Sequence, residues 1–176
     1  GDFIKRGTEE VIPFPESFGM LNSMLNGGIA AGEITVIGAL TSVGKTTMVN
    51  EIAYHFWKNT TKTIGCAFLE ASNGEAVENL LTIHTGHNLS LEDRKNIDYD
   101  NLRTEIITDG RILLLDHSGA VDADELFLKL RAMVKGNGCD VIIIDPLQAA
   151  VTSNSNETID EFMDRLLKLA KETDVS

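Results

Sequence analysis

Short apolar runs alternate with amphipathic segments along most of the chain. The runs rich in β-branched and aliphatic residues are Glu33–Gly38, Thr63–Leu69, Ile112–Asp116 and Asp140–Asp145, and this pattern predicts a strand at each. Their apolar character is nearly continuous, which is typical of strands in a parallel sheet that is covered on both faces.

Helical patterns follow these runs. They cover Thr46–Lys58, Glu75–Thr85 and Ala123–Lys135, and a fourth lies near the carboxyl end. Asp122 and Glu125 resemble a capping box at the start of the third helix, and Thr158 and Glu161 do so at the start of the last. The alternation of strands and helices predicts an α/β class, a doubly wound and mostly parallel sheet with flanking helices.

The two ends of the chain and one internal segment depart from this pattern. Residues 1–11 are polar and predict a tail or linker remnant, whereas residues 12–176 predict one domain. Ser90–Asn101 is charged and weakly patterned, which indicates a surface excursion. Asp174–Ser176 resembles a turn that leads into another strand, so we expect the domain to be incomplete at its carboxyl end.

Composition narrows the class of protein. A chain of 176 residues with 43% hydrophobic content can form one domain with a core. No apolar run reaches the length of a membrane-spanning helix, so we expect no membrane association. Cys66 and Cys139 lie in or beside apolar runs without metal-like spacing, which predicts buried, reduced thiols of a cytoplasmic protein.

The formal net charge of −12 restricts the possible contact with nucleic acid. Proteins that coat DNA through a broad surface are basic, because they must neutralise phosphates. A strongly acidic chain argues against that mode. It does not argue against a protein that contacts DNA through a few loops lining a narrow pore.

A phosphate-binding loop of the Walker A type follows the first predicted strand. The strand, the loop with Gly44 and the next helix are in the order that such a loop requires. Backbone amides and the helix N-terminus suit phosphate oxygens, Lys45 would reach the β and γ phosphates, and Thr46 would ligate Mg²⁺. The predicted nucleotide-binding residues are Ala39, Leu40, Thr41, Ser42, Val43, Gly44, Lys45, Thr46 and Thr47. The first position holds alanine instead of the usual glycine.

A carboxylate at the end of a later strand fits the second half of such a site. Cys139–Asp145 is an apolar strand that ends in Asp145, as in a Walker B motif, and Asp145 would bind Mg²⁺ through a water molecule. The alternative is an aspartate that merely begins a turn.

Hydrolysis also needs a group that orients or deprotonates the attacking water. Many ATPases place a glutamate directly after the Walker B aspartate, but Pro146 occupies that position here. Glu70 ends the second predicted strand, and the carboxyl ends of parallel strands share one edge of a sheet. We therefore predict Glu70 as the base, with a capping or solvated glutamate as the alternative.

These motifs resemble those of a known family. Glu33–Thr47 resembles the helicase motif of DnaB-type replicative helicases, and Gly65–Ser72 is similar to the strand with the catalytic glutamate in bacteriophage primase-helicases. Gly136–Asp145 resembles their Walker B segment, and Leu21–Glu33 fits the RecA-like superfamily. The resemblance implies an ATP-dependent DNA helicase motor with a RecA-like P-loop fold, in which Lys45 and Glu70 are catalytic.

The resemblance also implies cofactors and partners. It implies Mg²⁺, with ATP or another NTP or dNTP as the substrate, single-stranded DNA, a hexameric ring of the full-length protein, and a fused or associated primase. Family members need a γ-phosphate sensor, further DNA loops and an arginine finger, none of which is recognisable before Ser176.

The polar loop after the Walker B strand is the candidate DNA contact. In RecA-like proteins the corresponding loop lines the DNA path, and amides with small polar side chains suit phosphate contact. The candidate residues are Thr152, Ser153, Asn154, Ser155 and Asn156. A surface connection without a binding role is the alternative.

Two other functions remain open from the sequence. A RecA/RadA-type recombination ATPase would form filaments on DNA and pair strands. A nucleotide-gated assembly module would bind ATP without any dependence on DNA.

Overall fold

The computed structural model describes residues 11–38, 42–86, 98–117, 121–151 and 157–176, and at Ser42, Val43, Tyr99 and Leu102 it describes the backbone alone. Most of the predicted tail, residues 1–10, lies outside this part. The described chain begins with a two-residue antiparallel pair between β1 (Val11–Ile12) and β2 (Ile29–Ala30).

A parallel three-stranded sheet forms the centre of the domain. Its strands are β3 (Ile64–Phe68), β4 (Ile112–Leu114) and β5 (Val141–Asp145), in the order β4-β3-β5. In the register, Phe68 lies opposite Asp145. Each strand falls within a span that the apolar runs predict, so these three predictions are confirmed.

Six α-helices surround the sheet within the described residues. They are α1 (Gly19–Met24), α2 (Ser42–Asn59), α3 (Asn73–Thr85), α4 (Tyr99–Thr108), α5 (Ala123–Lys135) and α6 (Ile159–Thr173). Side chains fix several of their starts, because an N-cap oxygen satisfies an amide of the first turn. Thr158 forms the predicted capping box with Glu161, and Asp122 accepts from the amide of Glu125.

Three helices differ from the sequence pattern, and one of them, α1, was not predicted. α2 begins at Ser42, four residues before the predicted start at Thr46, so the second half of the phosphate loop is already helical. α4 was missed, since its amino end overlaps the predicted excursion at Ser90–Asn101. Its pattern is weak because Ile106 is buried whereas Ile107 is 47% exposed.

The strand predicted at Glu33–Gly38 is wrong, since this segment has no strand pairing. The neighbouring edge of β5 is instead contacted by the carboxyl end, where the Ser176 amide donates to the Asp140 carbonyl (3.1 Å) and the Ile142 amide donates to the Ser176 carbonyl (2.8 Å). An apolar cleft of about 410 Å³ lies between the segment and β5. The apolar residues of Glu33–Gly38 predict a strand, but a strand also needs a hydrogen-bonding neighbour.

Apolar side chains cover both faces of the sheet, as the continuous runs predict. One core includes Phe56, Ile64, Cys66 and Leu80, and the other includes Ala67, Leu126, Leu130 and Phe162. Helices α2 and α3 therefore pack on one face, and α5 and α6 pack on the other. Within the described part, no helix is both long and apolar enough to cross a bilayer.

Candidate nucleotide-binding site

The amino end of α2 carries the described half of the phosphate loop. Ala39, Leu40 and Thr41 lie outside the described residues, whereas Gly44, Lys45 and Thr46 lie within the first five residues of the helix. The first amides of a helix have no partner inside it, and the helix dipole adds positive potential there. Because the first turn contains no acidic residue, this helix end suits an anion such as phosphate.

Lys45 and Asp145 meet between α2 and β5. The Lys45 Nζ lies 3.3 Å from the Asp145 Oδ1, and their side chains are 25% and 13% exposed. The fold thus brings together the cation predicted to bind phosphates and the carboxylate predicted to assist Mg²⁺ binding. These two residues share one partly buried position at the carboxyl edge of the sheet.

The residues at this position fit a nucleotide-bound Mg²⁺. Magnesium in such sites uses one or two protein ligands and completes its shell with phosphates and water. The Thr46 hydroxyl would be such a ligand, and the Asp145 carboxylate would hold a water molecule of the shell. Among the described residues no group of three His, Cys, Asp or Glu side chains forms a metal cluster, and a phosphate-assisted site does not need one.

Asn50 supports the helix beneath Thr46, and sequence reasoning missed it. Its side-chain amide donates to the Thr46 carbonyl at 2.8 Å, and the residue is only 4% exposed. Its Oδ1 is buried without a hydrogen-bond partner in the described structure. The sequence feature that could have revealed Asn50 is a polar residue on the apolar side of the helix, one turn after Thr46.

Glu70 lies at the same edge of the sheet as Asp145. It is exposed and follows the end of β3 by two residues, and the amide of the intervening Leu69 donates to the Asp145 carbonyl at 2.8 Å. Within the described part of the chain, the Glu70 carboxylate has no hydrogen bond or ion pair to hold it. The backbone therefore sets its position relative to Asp145.

His117 contacts the end of the same strand from the opposite side. Its Nε2 donates to the carbonyl of Phe68, the last residue of β3, at 2.8 Å. The sequence indicates only a polar histidine after a strand, because the partner lies 49 residues away along the chain.

The candidate DNA loop, residues 152–156, lies outside the described residues. The next residue, Glu157, accepts hydrogen bonds from Arg165 Nη1 at 2.8 and 3.0 Å. Asp124 shares that guanidinium at 2.8 Å. Glu157 is therefore tied to α6, and the same guanidinium links it to the start of α5.

Comparison with known proteins identifies the relatives of this chain. Residues 14–176 match the family model described as DnaB-like helicase C terminal domain. A DNA helicase/primase of Enterobacteria phage T3 is 30% identical over an alignment of 158 residues, and the match covers 84% of this chain and 28% of that protein. The chain therefore spans less than a third of the length of this relative.

A solved structure of an ATPase domain has the same fold. The alignment has a TM-score of 0.69 and 20% sequence identity, and it covers 99% of this chain and 65% of that one. It confirms the predicted α/β fold class. The family match confirms the resemblance to DnaB-type helicases. The chain belongs to the DnaB-like helicase C-terminal domain family.

Proposed function

We propose that this domain hydrolyses ATP, or another NTP or dNTP, to drive a replicative helicase along single-stranded DNA. The observation that carries the proposal is the approach of Lys45 to Asp145 at 3.3 Å. Glu70 follows a residue that is hydrogen-bonded to the same aspartate. A phosphate-binding cation, a magnesium-assisting carboxylate and a candidate base thus occupy one edge of the sheet.

Each of these residues has a separate role in the proposal. The loop from Ala39 to Thr47 holds the phosphates through backbone amides, and Lys45 adds a positive charge near the β and γ phosphates. The Thr46 hydroxyl would ligate Mg²⁺, and the Asp145 carboxylate would hold a water molecule in its shell. Bound Mg²⁺ would supply neutralisation of phosphate charge. Glu70 orients and deprotonates the attacking water.

The assembly completes the site in this proposal. An arginine finger stabilises the transferring phosphoryl group and contributes roughly 10³–10⁵ in rate, and we assign it to the neighbouring subunit of a hexameric ring. The acidic chain then contacts DNA through pore loops that include residues 152–156 instead of through a broad surface. A cytoplasmic location and an associated primase complete the proposal.

The test is steady-state hydrolysis by the full-length protein with and without single-stranded homopolymer DNA. We expect the DNA to stimulate hydrolysis, and we expect blunt duplex to stimulate it less. Hydrolysis that is independent of DNA would refute the translocation role and favour a nucleotide-gated assembly module. DNA-coating filaments with strand pairing would refute it in favour of a recombinase.

A further inference from the structure

We propose that His117 is a positioning residue for the hydrolytic site, because its imidazole fixes the strand end that carries Glu70. This inference rests on the proposed function, in which Glu70 is the base. His117 itself would contact neither nucleotide nor water. It acts through the backbone of β3.

The hydrogen bond from His117 takes the place of a backbone hydrogen bond in the parallel ladder between β3 and β4. The Leu115 amide donates to the Cys66 carbonyl at 2.8 Å, and the next β3 carbonyl on that side belongs to Phe68. In a continued ladder the backbone amide of His117 would donate to the Phe68 carbonyl. Here β4 has ended at Leu114, and the His117 side chain donates to the Phe68 carbonyl instead. The imidazole therefore hydrogen-bonds β3 beyond the point where the neighbouring strand β4 ends.

The strand end is held from both sides at successive residues. His117 binds the Phe68 carbonyl, and the Asp145 carbonyl accepts from the Leu69 amide. Glu70 is the next residue, and among the described residues no hydrogen bond or ion pair restrains its carboxylate. Since a displacement of about 1 Å at a reacting group can cost roughly 10²-fold in rate, the backbone anchors determine whether the carboxylate reaches the attacking water.

The chemistry of the ring agrees with this role. A carbonyl oxygen only accepts hydrogen bonds, so Nε2 must carry the hydrogen whether the ring is neutral or protonated. Nδ1 is buried and has no partner in the described part of the chain. The Phe68 contact is thus the one polar contact that the structure records for this ring. Replacing the ring changes that contact without breaking another recorded hydrogen bond.

The test compares His117→Gln with His117→Met in the full-length protein. These side chains have similar lengths, but only glutamine can donate to the Phe68 carbonyl. We expect His117→Met to lower kcat by roughly 10- to 100-fold without changing KM or nucleotide affinity, and we expect His117→Gln to retain most of kcat. His117→Phe is the second variant without a donor, should His117→Met fail to fold.

A stability control and a double variant separate this role from a structural one. His84→Phe removes a hydrogen bond to Tyr54 between α2 and α3, and we expect it to lower stability but not kcat. In a Glu70→Gln background, His117→Met should cause no further loss, because the base that it positions is absent. The same loss in both backgrounds, or equal kcat for the Met and Gln variants, would overturn the proposal.

Glu70→Gln alone separates a failure of Glu70 as the base from a failure of His117 as the positioning residue. Unchanged turnover in that variant would refute Glu70 as the base, and the positioning role with it. A large loss in that variant, together with a silent His117→Met, would refute the positioning role alone.

Discussion

Lys45, Asp145 and Glu70 are predictable from the sequence because local patterns determine where they lie. Carboxylates at the ends of parallel strands share one edge of the sheet, and Lys45, in the first turns of α2, lies 3.3 Å from Asp145. Asn50 and His117 were not predictable in the same way. The His117 contact depends on how β3 and β4 end relative to each other, and residues 49 apart do not reveal that.

Lys45→Ala tests the phosphate-binding role. Lys45→Ala removes the cation that would pair with the β and γ phosphates. Loss of one partner of such a pair costs about 3 kcal/mol, so we expect MgATP affinity to fall by roughly 10²-fold. Equilibrium titration with a fluorescent ATP analogue measures this. Lys58→Ala is a matched control in the last turn of the same helix. Unchanged affinity in a folded Lys45→Ala protein would contradict the site.

Glu70→Gln tests the chemical step. The amide keeps the size of the side chain but cannot take a proton, so we expect hydrolysis to fall by roughly 10²–10⁴-fold while MgATP still binds. Steady-state turnover beside nucleotide affinity distinguishes the two effects. Glu75→Gln is the control, because glutamine can replace glutamate in the capping box of α3. Wild-type turnover in Glu70→Gln would place the base elsewhere.

At the scale of elements, caps and apolar runs were more informative than the chemistry of single motifs. α5 spans the predicted residues Ala123–Lys135, and the capping box of α6 lies at Thr158 as expected. The error at Glu33–Gly38 has a different origin. Its apolar pattern is that of a buried strand, yet Val36 is 72% exposed and a cleft separates the segment from β5. The apolar pattern of a segment indicates a preference for burial. Whether the segment pairs as a strand depends on which backbone occupies the neighbouring edge of the sheet.

The capping box of α3 begins two residues after Glu70, and its contribution to stability can be tested. The Ser72 hydroxyl accepts from the Glu75 amide at 3.2 Å, so Ser72→Ala should lower the free energy of unfolding by about 1 kcal/mol. Chemical denaturation of residues 1–176 measures it. Ser72→Thr keeps the acceptor and should lose much less. Equal stability of the Ala variant and wild type would show that the cap is not formed in solution.

At the scale of the whole molecule, the buried thiols report on the core. Both cysteines are free and buried, as the sequence predicts. Burial, followed by the charge of Asp140, raises the pKa of Cys139 to about 11 from an ordinary value of 9.0. The unfolded thiol therefore ionises at lower pH than the folded one.

This difference makes stability depend on alkaline pH. Between pH 9 and about 11 the unfolded chain loses the Cys139 proton while the folded chain keeps it, so the free energy of unfolding falls as pH rises. Cys139→Ala removes this contribution. We expect the stability difference between wild type and the variant to shrink across that range in urea denaturation. A difference that is constant with pH would contradict the raised pKa.

Assembly gives the second prediction at this scale. We expect residues 1–176 alone to bind MgATP weakly and to hydrolyse it slowly as a monomer or loose oligomer. The full-length protein should form ATP-stabilised rings, because the arginine finger comes from a neighbouring subunit in our proposal. Light scattering after size exclusion, with and without ATP, measures both forms. Fast, DNA-stimulated turnover by monomeric residues 1–176 would show that one subunit contains a complete site.

Unwinding of a forked DNA duplex by the full-length protein is the direct test of the proposed helicase function. We expect strand separation that requires MgATP or another hydrolysable nucleotide. We also expect Lys45→Ala and Glu70→Gln to abolish separation, whereas Lys58→Ala retains it. Separation without nucleotide, undiminished separation by the folded Lys45→Ala protein, or no separation by a wild-type protein with DNA-stimulated hydrolysis would contradict the account.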